Sequence, residues 1–402
     1  MKITDLKLRQ LEGTMEYEGV LWEERGARPL DIYPAFRPLS AEDSIGRQFP
    51  KVGDGRYKVT QIFLQIETDE GVTGVVGPVT GDATAYYLAT QLRALLIGQD
   101  PLANEYLWDV MYRNAPNGRT GDNMIAISHV DYALWDIKAK WLNQPVLTLL
   151  GGPVQEKIPA YASTAGFSLE PARAAERVAM IRAQGFCGTK WFFRRGVGDG
   201  VDGERKNVEL MAALRDASGP DMHVMIDAWA NWGVDYTLRM ARSLEQYRPA
   251  WIEEPLQYAL HESYAYLRKE SPVPIAGGEH EFTRWGVKAM LDRGMLDIYQ
   301  FEPIWAGGLS ELMKIGALVS AYDATFVPHV YVPAASAQVA FTQNAMTTPM
   351  LEYHYILGEI YQHFLQTPLR PVQGFFHPPK VVGLGLDVDE DKVEAEKQIT
   401  FS

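Results

Sequence analysis

From about residue 157 onward the chain alternates between two patterns of apolar and polar positions. Short apolar runs recur as IPAYAS, GTKWFF, HVMIDA, AWIEEP, PIAGGE, DIYQFE, TFVPH and PMLEY. Most are separated by segments with helical spacing, such as the stretch around 173–183 and LSELMKIGALVSAY. Strands alternating with helices in this way build a parallel α/β sheet. Eight such runs favour a closed barrel over an open sheet, and a barrel of this type works where its strands end.

The first 125 residues follow a different rhythm. Ile3, Leu6 and Leu8 mark an opening strand, and residues 15–57 are then irregular, with Pro29, Pro34, Pro38 and Pro50. Trp22, Tyr33 and Phe36 within that stretch argue for a lid that packs on something, because disordered segments are poor in aromatics. KVTQIFLQIETDEGVTGVVG reads as a hairpin turning at Gly71. In IAISHVDYALWDIKAKWL, Ile127, Val130, Leu134, Ile137 and Trp141 fall on one helical face. Residues 1–125 are therefore predicted to be a separate α+β domain.

Composition narrows the function classes. The 402-residue chain carries a formal net charge of −13, which argues against nucleic acid or an anionic membrane surface as the main partner. Cys187 is the only cysteine, so neither an internal disulfide nor a thiolate metal site is available. MKITDLKLRQ lacks the apolar core of a signal peptide, and no apolar stretch is long enough to span a bilayer. The expectation is a cytoplasmic protein with no membrane partner. No G-x-G-x-x-G follows an early strand, and GVGDGVDG at 196–203 has the spacing of a loop.

The chemistry sits at the ends of the apolar runs. Asp227 ends VMID, Glu253 lies in AWIEEP and Glu279 ends PIAGGE, each 26 residues after the last. One βα repeat of that length brings all three acids to the same rim. Three carboxylates with no Cys or His among them suit a hard cation, Mg²⁺ before Zn²⁺. The rim set continues with Lys190, Glu302, His329 and Glu352. A single acid at a strand end is ordinarily a solvated loop residue or a helix cap. Several like charges brought together need a cation to offset them.

These residues resemble the enolase superfamily, and within it the mandelate racemase-like subgroup, over nearly the whole chain. The resemblance implies a modified TIM barrel, (β/α)7β, over 126–365. It also implies an N-terminal α+β capping domain over 1–125 with the lid, and a C-terminal segment, 366–402, returning to the cap. Asp227, Glu253 and Glu279 match the family's Mg²⁺ ligands, EEP and GGE being their usual contexts. His329 matches the catalytic base and Glu302 its partner carboxylate, commonly aspartate. Glu352 matches the acid that hydrogen-bonds the substrate carboxylate.

One departure bears on the reaction. Racemases of the family carry Lys-x-Lys at the end of the second barrel strand; here the motif is Lys190-Trp191-Phe192, and phenylalanine takes no proton. A one-base elimination is then favoured over a two-base racemisation. With DAW at 227–229, GEH at 278–280 and RPLDIYPAFR at 28–37, the chain is similar to acid-sugar dehydratases of the L-rhamnonate dehydratase type. It departs from them in having no lid histidine, His129 being its first.

The implied reaction removes the C2 proton of a sugar acid through His329, with Lys190 adding positive charge and His280 as a further acid. Trp229, Phe192 and Trp305 are expected as pocket walls, and Tyr33 as a lid contact to substrate. Arg195 with Arg194 is expected either to clamp a distal carboxylate or to be a solvated loop pair. Assembly as a dimer or octamer is implied. A racemase or epimerase using Lys190, and a non-catalytic metal-binding relative, are the alternatives.

Overall fold

The computed structural model describes residues 1–25, 28–37 and 47–401. Pro38 and the rest of the 38–46 stretch of the expected lid lie outside the described residues.

Strand β1 (Ile3–Glu16) turns Leu6, Leu8, Leu11 and Met15 inward and pairs antiparallel with β3 (Arg56–Thr68), Leu8 opposite Leu64. Alternation of this kind buries one face of a sheet and leaves the other to solvent. The short β2 (Lys51–Gly53) edges β3, and β4 (Thr73–Val76) completes the hairpin through Gly71, which adopts φ +77°. A C-terminal strand, Ala395–Gln398, pairs with the other edge of β1. Both ends of the stretch expected to be irregular, 15–57, belong to the sheet: β1 runs to Glu16 and β2 begins at Lys51.

Helix Asp122–Trp141 is buried on nearly every side, and the boundary expected at residue 125 falls inside it. One face packs on the antiparallel sheet. Gly74 of β4 comes so close that a Cβ there would lie 2.3 Å from the Ala133 carbonyl oxygen, and Val75 N–H donates to Asp136 at 2.9 Å. Its opposite face grips the barrel. Asp131 accepts from Ser310 N–H (2.8 Å) and Ser310 Oγ–H (2.6 Å), satisfying one of the free N–H groups that open helix Leu309–Ala321.

Eight parallel strands form the barrel: β5 (Ile158–Ser163), β6 (Gly188–Phe192), β7 (His223–Asp227), β8 (Ile252–Glu253), β9 (Ile275–Gly277), β10 (Ile298–Tyr299), β11 (Thr325–Phe326) and β12 (Leu351–His354). They lie in chain order, and β12 returns to pair in parallel with β5, Glu352 opposite Tyr161. Between β11 and β12 no ladder forms. Phe326 N–H instead donates to the Thr347 carbonyl (2.7 Å) and Val330 N–H to the Glu352 carboxylate (3.3 Å). A helix follows each of the first seven strands, from Pro171–Ala183 to Pro333–Ala340, giving (β/α)7β. Among the described residues no helix is long and apolar enough to cross a membrane.

The described part of the N-terminal loop is anchored to the barrel after β5. Glu23 and Glu24 N–H both donate to the Gly166 carbonyl (2.7 and 3.1 Å), and Ser168 and Leu169 N–H donate back to their carboxylates (3.0 and 2.7 Å). Glu23 pairs with Arg177 and Glu24 with Arg194. Gly166, at φ +97°, lies under Trp22, whose indole a Cβ would approach to 2.7 Å. Only glycine suits both the backbone and the contact.

Candidate active site

β7 and β8 end on Asp227 and Glu253, which are register partners, and Glu279 stands two residues beyond β9. The backbone leaves these strands sharply: Trp229, Ala230 and Glu254 adopt φ +38°, +56° and +38°. Left-handed backbone at non-glycine residues stores strain and clusters at functional sites. Here it sits directly beside two of the three expected ligands.

Lys190, two residues before the Phe192 that ends β6, is buried at the centre of the rim. Its ammonium pairs with Glu253, with Glu352 at 2.8 Å and with Asp227 at 3.3 Å. Burial acts to lower its pKa, but Glu253, Glu352 and Asp227 outweigh that and hold it well above the ordinary lysine value. Lys190 is therefore a fixed positive charge. Glu352 is pushed low by Lys190, His354 and His329 in spite of its burial. The second oxygen of Glu253 accepts from Gln300 Nε2 (2.8 Å) and Trp251 Nε1 (3.0 Å).

The histidines form the opposite pole. His329 Nδ1 donates to Glu302 at 2.7 Å, and Glu302 also accepts from Tyr331 N–H (2.8 Å) and Ile304 N–H (2.9 Å). That fixes the ring and its tautomer and leaves Nε2 facing the rim, 3.5 Å from Glu279 and 3.9 Å from Glu352. Burial acts to lower the His329 pKa, but Glu279, Glu352 and Glu302 raise it to about 10. With the acids bare, His329 keeps its proton at neutral pH. His280 Nδ1 lies 3.0 Å from Glu254, its ring stacked on Tyr258 at 3.9 Å between centroids. Glu254 and Glu279 push the His280 pKa up against its burial.

Among the described residues, two groups have ligand atoms all within 4.8 Å of one another: Glu254–Glu279–His280 and His329–Glu352–His354. Asp227, Glu253 and Glu279 do not form such a group; Lys190 pairs with the first two. Their chemistry still fits a hard divalent cation. All donors are carboxylate oxygens, and the acids are short of positive charge. Burial and then Glu253 push Asp227 well above the usual carboxylate range, and burial pushes Glu279 to about 7.

The remaining expected residues are distributed unevenly. Trp305 packs between His329 and His280, its ring 5.6 and 5.7 Å from theirs, and Phe192 lies under Lys190, 5.8 Å from the ammonium. Trp229 N–H donates to Asp227 at 2.9 Å, so its backbone orients that carboxylate. Arg195 pairs with Asp199 at 3.6 Å and Arg194 with Glu24, so both spend their charge on loop acids. Tyr33 is 55% exposed and packs edge-on to Phe36.

Three groups escaped the sequence reading: His354, Gln300 and the Glu254–His280 pairing. LEYH does signal His354, since alternate residues of a strand share a face and Glu352 faces inward. The other two depend on spatial register.

The regions 54–151 and 172–392 match the mandelate racemase / muconate lactonizing enzyme N-terminal domain and the enolase C-terminal domain-like family, respectively. The chain is 32% identical to an L-rhamnonate dehydratase of Saccharopolyspora erythraea, over 92% of this chain and 90% of that one. It is 35% identical to a D-galactonate dehydratase of Cronobacter sakazakii, over 84% and 91%. The crystal structure of rhamnonate dehydratase from Gibberella zeae complexed with Mg superposes with a TM-score of 0.81 at 26% identity, over 98% of this chain and 96% of that one. The chain belongs to the mandelate racemase / muconate lactonizing enzyme branch of the enolase superfamily, among relatives that include acid-sugar dehydratases.

Proposed function

We propose that the protein is a Mg²⁺-dependent dehydratase of a sugar acid, converting an aldonate to a 2-keto-3-deoxy acid. The observation that carries this reading is the His329–Glu302 pair at 2.7 Å, facing the acid cluster from one side, with Phe192 where a second base would stand.

Asp227, Glu253 and Glu279 would hold the ion, which when bound supplies Lewis-acid stabilisation of charge developing on the substrate carboxylate. His329 Nε2 takes the C2 proton, and the electron pair left behind spreads into the carboxylate as an enediolate. Glu302 holds the imidazolium that forms. Lys190 contributes fixed positive charge beside the carboxylate. Collapse of the enediolate breaks the C3–O bond, and the hydroxyl leaves as water with the proton that His329 returns. The enol then takes a proton at C3 and becomes the keto acid. His280, whose pKa Glu254 and Glu279 raise against its burial, is a second candidate donor on the same rim.

The alternative, an epimerase, needs a base on the other face. Lys190 is the group available there, and three carboxylates hold it as an ammonium, which accepts no proton. A library of sugar acids incubated with Mg²⁺ and scored for 2-keto product tests the proposal. Keto acid formation abolished by EDTA is expected; a C2 epimer without keto acid would overturn it.

A further inference from the structure

Two imidazoles meet at the histidine pole of the rim, and the reaction above uses only one of them. His354 ends β12 two residues after Glu352, so strand alternation turns both side chains into the barrel. It is buried, with Nε2 3.2 Å from His329 Nε2 and 3.8 Å from the Glu352 carboxylate. The two rings meet edge to face at 5.1 Å between centroids.

The hydrogens at this contact follow from the surrounding partners. Because His329 Nδ1 donates to Glu302, the proton-accepting form of His329 presents a bare lone pair at Nε2. Once His329 has given up its Nε2 proton, two lone pairs would face each other at 3.2 Å unless His354 supplies an N–H at its own Nε2. The remaining nitrogen of His354, Nδ1, is buried without a partner, and a hydrogen there would be a stranded donor. Both arguments place the His354 hydrogen on Nε2, directed at the lone pair that does the chemistry.

When a substrate C2–H occupies that lone pair, the His354 donor loses its acceptor. A buried donor in this position calls for a new oxygen, and a polyhydroxy acid carries one on the adjacent carbon. We propose that His354 is a substrate-binding residue whose Nε2–H donates to the C3 hydroxyl of the bound sugar acid. This forms a subsite that selects acids bearing that hydroxyl. The inference rests on the dehydratase reading. The His354 hydrogen stays on His354 throughout; the proton that completes the departing water is the one His329 returns. A site built to hydrogen-bond a hydroxyl discriminates strongly against analogues that lack it, because its donor is then left bare.

His354→Leu removes the donor, and His354→Gln retains an N–H close to the position of Nε2. Wild type and both variants are compared, with Mg²⁺, in dehydration of the best sugar acid and in C2-proton exchange in D₂O with its 3-deoxy analogue. The Leu variant is expected to lose about 100-fold in kcat/KM for dehydration, exchange the analogue within about threefold of wild type, and be rescued at least tenfold by Gln. Equal losses in both reactions, wild-type dehydration by the Leu variant, or no rescue by Gln would each overturn the inference. If the Leu variant does not fold, Gln against His354→Asn decides, since Asn places its amide near Nδ1: an active Gln variant with an impaired Asn variant supports the subsite, and equal activity overturns it. A wild type that dehydrates no hydroxy acid brings down the dehydratase reading, and this inference with it. An active wild type with unresponsive variants brings down the inference alone.

Discussion

Replacing Glu302 by glutamine removes one negative charge from beneath the proposed base while keeping its shape. In the native protein the two carboxylate oxygens accept three hydrogen bonds, from His329 Nδ1, Tyr331 N–H and Ile304 N–H. A glutamine has only one acceptor oxygen. If that oxygen serves His329 and Tyr331, its amide faces Ile304 N–H, a donor-to-donor contact expected to cost about 1–3 kcal/mol of stability. The charge matters more for rate. A hydrogen bond to a charged partner contributes about 1.5–3 kcal/mol, and losing it as the imidazolium forms corresponds to a roughly 10- to 150-fold drop in kcat.

The sign of the pH effect is set by the same contact. Glu302 is one of the groups that raise the His329 pKa, so its removal lowers that pKa. Because the base works deprotonated, the rising limb of the kcat–pH profile shifts to lower pH while the plateau falls. Glu302→Asp keeps the charge and should leave the limb near its wild-type position. The assay is keto-acid formation across pH, with Mg²⁺ affinity measured by calorimetry to confirm an intact cation site. Unchanged kcat and an unmoved limb in Glu302→Gln would refute the dyad as the source of basicity.

The cation site carries its own pH dependence. Glu279 titrates near 7 and Asp227 is pushed up as well, so protons must leave as Mg²⁺ binds, and affinity should rise with pH through about 7. Calorimetry that finds no proton release between about pH 5.5 and 8 would count against these ligands. Lys190→Met strands three buried carboxylates and should destabilise the metal-free protein by about 3–5 kcal/mol, read as a lower Tm in EDTA and partly recovered by Mg²⁺. An unchanged Tm would mean that Lys190 does not hold the rim together. With Phe192 in place of a second base, the substrate run in D₂O should yield keto acid without accumulation of its C2 epimer; an epimer formed faster than keto acid would reverse the assignment.

What the sequence made legible was the part set by chain spacing. The 26-residue interval between Asp227, Glu253 and Glu279 is one βα unit, and two of the three acids are the last residues of their strands. The hairpin at Gly71 was equally local. Features that depend on neighbouring strands were not readable. That Lys190 bridges Asp227, Glu253 and Glu352 depends on the closure of β12 on β5, which no spacing encodes. The Glu254–His280 contact needs Glu254 in left-handed backbone, a conformation that glutamate does not announce. Tyr33 is a different case: an aromatic in an irregular segment suggests a packed lid, and in the structure it packs edge-on to Phe36 with most of its surface in solvent.

The rim is electrically divided, and that division bears on the reaction more directly than any single residue. At one pole Lys190 is ringed by carboxylates that hold its proton permanently, and the adjacent position is a phenylalanine. On the proposed reading a substrate carboxylate would be held at that pole with the bound cation, and the lysine would exchange no proton with it. At the other pole His329 and His280 each bear a carboxylate on Nδ1, from Glu302 and Glu254. Their ring nitrogens pick up and release protons according to the charge nearby. Trp305 fills the space between the two rings, so the proton-handling groups share one apolar wall. A substrate fixed by its carboxylate at the lysine pole would present a single face to the imidazoles. Removing and returning protons on one face permits loss of water and does not permit inversion at C2, which needs a donor on each side.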